Sequence, residues 1–309
     1  MTSLPVLSDA RWLAAPAPAP ERTASVREQL GALATICEAA RCPNQGECWA
    51  DGMATFLLLG DVCTRSCRFC AVKSGRPAPL HADEPARLLD AVRALDLAHV
   101  VLTCVDRDDL DDGGARQLAR CVRALKDDQR TVELLAPDFG GDARALGTVV
   151  DAGVDVLAHN LETVRRLAPS VRDRRASTDR SLALLDAAKR RRPELVTKSG
   201  LLLGLGESDD EVLDAMIELR GVAVDVLTLG QYLRPTRRHA PVRRLVDPEQ
   251  FAALADDART LGFLAVAAGP RVRSSYRAEA LWRRALEGHR NIERGKAAGE
   301  ARSEHTARM

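Results

Sequence analysis

The run "LLLGDVCTRSCRFCAV", residues 57–72, joins an apolar stretch to three cysteines, Cys63, Cys67 and Cys70, spaced C-x3-C-x2-C. A disulfide framework needs an even count, and zinc sites usually arrive as two C-x2-C-like pairs, so a tight triplet suits neither. Thiolates around an iron–sulfur cluster suit it better. A four-iron cluster on three protein thiolates leaves one iron open to a small molecule, which is what a catalytic cluster requires.

The apolar half of the run has counterparts along the chain. From about residue 54 to 270, runs rich in Val, Leu and Ile ("ATFLLLGD", "AHVVLTCV", "RTVELLAPDF", "DVLAHNL", "LVTKSGLLLG", "DVLTLGQYL", "FLAVAAG") alternate with helical patterns such as "DEPARLLDAVRAL" and "SDDEVLDAMIELRGV". Nearly continuous apolar strands separated by amphipathic helices imply an α/β fold with a parallel sheet covered by helices. Six or so such units suit a barrel or part of one. The polar residues then gather at strand ends, as in "LLAPDF", "LAHNLET", "LGLGES" and "LGQYLRP", where such barrels place their chemistry. Residues 1–25, with "APAPAP", read as a flexible arm. Residues 26–53 form an extension, 54–270 the partial barrel, 271–290 a C-terminal segment with a helix, and 291–309 a frayed polar tail.

Composition narrows the function classes. The net charge is +1 over 309 residues, which argues against a chain that works by wrapping nucleic acid or anionic lipid. No segment approaches the roughly 18–20 apolar residues that span a bilayer. The first residues lack the charged head and apolar core of a secretory signal. Eight cysteines without such a signal suggest a reducing, cytoplasmic setting, where thiols stay free for metal.

A second triplet lies upstream. "TICEAARCPNQGECW" contains Cys37, Cys42 and Cys48 with C-x4-C-x5-C spacing, and Pro43 and Gly46 supply turns. Two separate triplets imply two clusters. Cys121 falls on the apolar face of a helical pattern and reads as core. Cys104 closes a strand beside a polar segment and is open to either a core or a site role.

The first triplet after a strand resembles the signature of radical S-adenosylmethionine (SAM) enzymes. Its combination with "TICEAARCPNQGECW" is similar to the lipoyl synthase family, and the likeness continues through "VDRDDLDDGGA", "VELLAPDF", "AHNLETV", "TKSGLLLGLGE", "GQYLRP" and "GPRVRSSY", about residues 35–280. The resemblance implies a partial (β/α)6-type TIM barrel of the radical SAM kind. It implies that Cys63, Cys67 and Cys70 ligate a [4Fe–4S] cluster that chelates SAM, whose reductive cleavage gives a 5′-deoxyadenosyl radical. Cys37, Cys42 and Cys48 correspond to ligands of an auxiliary [4Fe–4S] cluster that donates sulfur. Its fourth ligand maps to Ser275 of "RSSY", with Ser274 the competing candidate. The activity implied is insertion of two sulfurs at C6 and C8 of a protein-bound octanoyl-lysine.

Other strand-end groups are weaker candidates for cofactor contact. Asn160, Lys198, Gly204 and Glu207 are the candidates for contact with SAM; His159 and Asn160 divide evenly between structural hydrogen bonding and cofactor contact, and Lys198 either binds a carboxylate or pairs within the site. "VDRDDLDDGG" lacks the ligand order of a calcium loop, so capping and loop fixing are favoured. Arg/Lys residues crowd positions 165–192. A solvated helix face is the plainer account of such a run, while docking of an acidic carrier domain is the functional one.

The implied partners are octanoylated lipoyl carrier domains of 2-oxoacid dehydrogenase complexes or the glycine cleavage H protein, and an electron donor such as ferredoxin or flavodoxin. The chain departs from the family at Cys104, where a small residue is usual, and at Arg165, where proline is common. A paralogue with another acyl or peptide substrate, and an electron-transfer iron–sulfur protein, are the alternative readings.

Overall fold

The computed structural model describes residues 11–13 and 20–307. Seven parallel strands form its frame: β1 (Thr55–Leu58), β2 (His99–Cys104), β3 (Thr131–Leu135), β4 (Val156–Ala158), β5 (Val196–Leu203), β6 (Val226–Gln231) and β7 (Ala265–Gly269). They lie side by side in chain order, each parallel to the next. A two-residue strand, Ala34–Thr35, pairs antiparallel with β1. No ladder joins that edge to β7 among the described residues, so the barrel is open.

Helices connect the strands: α1 (Glu84–Ala94), α2 (Ala115–Asp127), α3 (Ala143–Val150), α4 (Thr178–Arg191), α5 (Asp209–Gly221) and α6 (Pro248–Thr260), with α7 (Ala278–Ala307) after β7. Six β–α units and a closing strand match the sequence reading. β1 and β6 are buried along their whole length, as strands covered by helices must be. Polar caps fix the helix starts: Ser177, Asp142 and Asp247 accept backbone N–H groups, and Ser208 forms a capping box with Glu211.

The ends depart from the sequence reading. Of the expected arm, residues 1–10 and 14–19 lie outside the described residues, and a helix over Pro20–Leu30 begins inside it, with proline at its first position, where its missing N–H costs nothing. At the other end α7 runs on to Ala307 instead of stopping near 290. Residues 291–307 contain no proline and are rich in helix-forming Ala, Glu and Arg.

The exit from β1 shapes the site. Leu59 and Gly60 both take left-handed backbone, φ 67° and 102°, and such a conformation at leucine is costly unless the surroundings hold it. Here the Leu59 N–H donates to Glu84 Oε1 at 2.9 Å, and its carbonyl accepts from Arg107 Nη1 at 3.0 Å. Gly114, at the start of α2, has φ 88°, where glycine is favoured, and a Cβ there would press on the Leu59 side chain. The turn throws the triplet loop across the C-terminal ends of the strands.

Candidate active site

The loop carrying Cys63, Cys67 and Cys70 closes on itself, because Val62–Cys63 pairs with Lys73–Ser74. Arg65, between the first two cysteines, points inward with its side chain 4 % exposed. It donates to both oxygens of Asp138 at 2.9 and 2.6 Å and to Asp108 at 2.7 and 3.0 Å, and pairs with Asp106 at 3.3 Å. The Ser66 N–H donates to Asp173 Oδ2 at 3.0 Å, and Arg175 donates to the Thr64 carbonyl at 2.6 Å. Segments following β2, β3 and β4 thereby grip one loop.

Burial opposes ionisation of Asp108 and Asp138, yet the Arg65 guanidinium outweighs it and holds both carboxyls below the usual range. Asp106 is pushed up to about 6, because its burial, with Asp138 and Asp108 beside it, exceeds the help from Arg65. Hydrogen bonding from Arg175 keeps Asp173 far below the ordinary value.

All three thiols of this loop are pushed up, mainly by burial: Cys67 to about 11 and Cys70 to about 12. A buried thiol keeps its proton until a metal replaces it. The donors for a thiolate are in place: the Arg65 N–H lies 3.4 Å from Cys63 Sγ, and the Asp173 N–H lies 3.2 Å from Cys67 Sγ. Among the described residues, no group of three His, Cys, Asp or Glu is placed to hold a single metal ion. Three thiols around an open volume, two with amide donors, fit a multi-iron cluster.

The second triplet sits at the edge of the barrel. Cys37 lies in the helical turn Ile36–Ala39 and Cys48 in the helix Gln45–Ala50. The Cys42 N–H donates to the Cys37 carbonyl at 2.9 Å. Burial raises all three thiols, and Cys48 reaches about 12 with Cys37 and Cys42 adding to the effect. The Trp49 indole N–H, buried without a hydrogen-bond partner of ordinary geometry, lies beside Cys37, where it favours the thiolate.

The loop after β7 is stitched to this triplet. Asn44 Nδ2 donates to the Arg271 carbonyl at 2.6 Å, Arg271 pairs with Glu47 at 2.7 Å, and the Tyr276 hydroxyl donates to Glu47 at 3.1 Å. A Cβ at Gly230 in β6 would overlap the Val272 carbonyl, so only glycine there lets the loop settle against the barrel. The Ser274 hydroxyl donates to Asn160 Oδ1 at 2.8 Å. Ser275 has no hydrogen-bond partner among the described residues and faces the same cavity as Cys42.

That cavity, about 500 Å³, is lined by Cys42 and Ser275 and by Cys63, Cys67 and Cys70. Asn160 lines it, as do His159 and Cys104. His159 is satisfied structurally: its Nδ1 contacts the Ala136 carbonyl and its Nε2 the Ser181 hydroxyl, each at 2.9 Å. Cys121 is fully buried in the core.

Three sequence candidates for cofactor contact fall elsewhere. Lys198 is buried against Glu133 at 2.7 Å, its charge neutralised within the barrel. Glu207 accepts the N–H groups of Gly204, Leu205 and Gly206, so it fixes a turn in which Gly204 has φ 100°. None of the three lines the cavity.

The crowded cations of 165–192 are also not a bare basic face. Arg165 meets Asp179 and Glu218, Arg166 meets Glu211, Lys189 meets Asp225, and Arg191 meets Asp151. Only Arg174 is exposed with no partner among the described residues.

Cysteine spacing did not point to Arg65, Arg172 and Glu162, which also line the cavity. Glu162 takes φ 67° and accepts from Asn160 at 3.0 Å, and burial raises its carboxyl. The position of Arg65 inside the triplet was the available signal. The departure at Arg165 has a plain account, since the side chain bridges two acids.

The sequence matches the Radical SAM superfamily over residues 57–219. It is similar to the lipoyl synthase of Halorhodospira halophila, with 53% identity over 284 residues, covering 90% of this chain and 84% of the relative. The lipoyl synthase of Deinococcus radiodurans is 55% identical over 250 residues, 80% of this chain and 76% of the relative. Among solved structures, the FeFe-hydrogenase maturase HydG from Carboxydothermus hydrogenoformans superposes with a TM-score of 0.52 over 74% of this chain and 65% of that one, at 12% identity. That likeness concerns the fold alone.

Proposed function

The chain belongs to the lipoyl synthase family of the radical SAM superfamily, and from that premise we infer that it converts a protein-bound octanoyl-lysine into the lipoyl group by forming carbon–sulfur bonds at C6 and C8. A bound [4Fe–4S] cluster with SAM supplies a 5′-deoxyadenosyl radical able to take hydrogen from an unactivated C–H bond. In our reading Cys63, Cys67 and Cys70 hold that cluster. The amide donors to Cys63 and Cys67 favour thiolate over thiol, and the Arg65 network keeps the loop in one shape.

Cys37, Cys42 and Cys48, with Ser275 as fourth ligand, would hold a second [4Fe–4S] cluster as the sulfur source. The observation that carries this assignment is the Ser275 hydroxyl: it is unpartnered among the described residues and opens on a cavity shared with Cys42, whereas the Ser274 hydroxyl is taken by Asn160. Iron–sulfur clusters prefer thiolates, so an alkoxide is the weakest of four ligands and the first to be released when sulfur is given up. Apolar walls, including Val101, Leu135, Leu201 and Val272, suit an acyl chain and keep water from a radical.

Lipoyl carrier domains or the H protein would present the substrate, and ferredoxin or flavodoxin the electrons. No helix among the described residues is long and apolar enough to cross a membrane. The cytoplasm is the compartment we propose, on the strength of eight free thiols.

The test is anaerobic. Iron and sulfide are reconstituted, reductant, SAM and an octanoyl-lysine peptide are added, and 5′-deoxyadenosine and peptide mass are followed together. Deoxyadenosine with a peptide that gains two sulfurs is the expected result. Deoxyadenosine with an unthiolated peptide would move the substrate to another acyl or peptide group, and no deoxyadenosine would remove the reading.

A further inference from the structure

The segment Tyr232–Val246, "YLRPTRRHAPVRRLV", contains five arginines and no acid. Arg234, Arg237, Arg238 and Arg243 are exposed. The side chains of Arg237, Arg238 and Arg243 have no partner among the described residues, and Arg234 is braced by the carbonyls of His239 and Arg237, which leave its charge intact. Arg244 alone is matched by acids, at Asp209 and Glu207. Arg243 shares a surface hollow with Arg68, whose side chain donates, among the described residues, only to the Ser170 carbonyl, and with Arg166. This contrasts with residues 165–192, whose cations are nearly all matched.

The segment is also a rim. Leu233, Arg234 and Pro235 line the main cavity. The loop rests on the first triplet, with His239 Nε2 2.9 Å from the Cys70 carbonyl and the Ala240 N–H donating to the Arg68 carbonyl at 2.8 Å. Whatever lands on these cations stands at the mouth of the reaction cavity.

We propose that the arginine loop Tyr232–Val246, with Arg68, is the landing surface for an acidic carrier domain that inserts its acyl-lysine arm into the cavity. The proposal rests on the function inferred above. Unneutralised rim charge acts mainly by steering an oppositely charged partner and suppressing others. It also confers strong salt dependence, since exposed charges are screened within about 10 Å at ~0.1 M salt.

The experiment compares two substrates with dithionite as reductant: octanoylated H protein of acidic net charge, and a short octanoyl-lysine peptide. The triple variant Arg237→Glu, Arg238→Glu, Arg243→Glu should lower the ratio of kcat/KM on the domain to kcat/KM on the peptide by about tenfold or more, mostly through KM. Raised salt should lower the same ratio in the unsubstituted enzyme. Arg174→Glu, an exposed unmatched cation outside the loop, should leave the ratio within about twofold.

An unchanged ratio in the triple variant overturns the proposal, as does an equal loss with Arg174→Glu. A defect that appears only when ferredoxin or flavodoxin replaces dithionite would assign the loop to the electron donor and likewise overturn it. If the unsubstituted enzyme thiolates neither substrate, the inferred function has failed, which the ratio by itself cannot mimic.

Discussion

Two loops in this molecule carry three cysteines each, and they are held differently. The 63–70 loop is fixed by Arg65, 4 % exposed, against Asp138, 1 % exposed, with clamps from three strand ends. The 37–48 segment is tied to the 271–276 loop by an ion pair whose partners are 28 % and 25 % exposed, and by two other polar contacts. One site is built into the barrel, while the other is assembled from the two ends of the chain against its open edge. A centre that must survive many turnovers suits the first construction; one that must be opened and rebuilt suits the second.

Removing one thiol from each triplet should separate the two sites most sharply. Cys67→Ala should abolish 5′-deoxyadenosine formation and lose about half the reconstituted iron. Cys42→Ala should lose a similar share of iron yet still form deoxyadenosine, with no thiolated peptide. Equal loss of deoxyadenosine in both would break the comparison.

The latches should also differ in strength. Arg65→Met takes the main cation from the buried Asp138 and leaves it beside the partly exposed Asp106 and Asp108, a change that typically costs up to about 3–5 kcal/mol. Arg271→Met removes a partly exposed pair worth about 1 kcal/mol or less. Anaerobic urea unfolding of the two variants measures the gap, and similar midpoints would sink it.

Finer substitutions test the serine side. Ser275→Cys should keep its iron and lose most thiolated product, while Ser274→Ala should cost a few-fold at most, about 1 kcal/mol for one hydrogen bond. Gly230→Ala should act like a mild Ser275 variant, sparing deoxyadenosine while displacing the loop. Normal product from Ser275→Cys would remove the case that a weak alkoxide ligand is needed there.

The last test is a pH slope inside the barrel. Burial, reinforced by Arg172, lowers His159 from 6.5 to about 4. The unfolded chain therefore binds the proton first, so the stability contributed by neutral His159 is full above about pH 6.5 and falls as pH drops toward 4. His159→Gln should flatten the stability profile across that window relative to the unsubstituted protein. Identical slopes would mean that the ring is not held neutral.

The barrel was legible because its strands are buried on both faces and therefore read as unbroken apolar runs, and both triplets were legible by spacing. The Arg65 network was not, because its carboxylates come from residues 106, 108 and 138. The partners of the 165–192 charges were hidden for the same reason: Glu211, Glu218 and Asp225, which neutralise Arg166, Arg165 and Lys189, lie on later elements. For Lys198 the sequence left cofactor contact and internal pairing both open, because its partner Glu133 sits 65 positions earlier. The role of Ser275 came from resemblance alone, since a serine in a loop carries no pattern of its own.

The open barrel also sets an order of assembly during synthesis. The polar clamp around Arg65 and Thr64 needs nothing beyond Arg175, with the 232–246 loop settling on it later, whereas the tie at Glu47 beside Cys37, Cys42 and Cys48 must wait for Tyr276. At about 5–20 residues per second, that gap of roughly 100 residues is ~5–20 s. Throughout it the first three thiols to be translated are the last to be enclosed, and they stand open to whatever delivers iron and sulfide, or to oxidation.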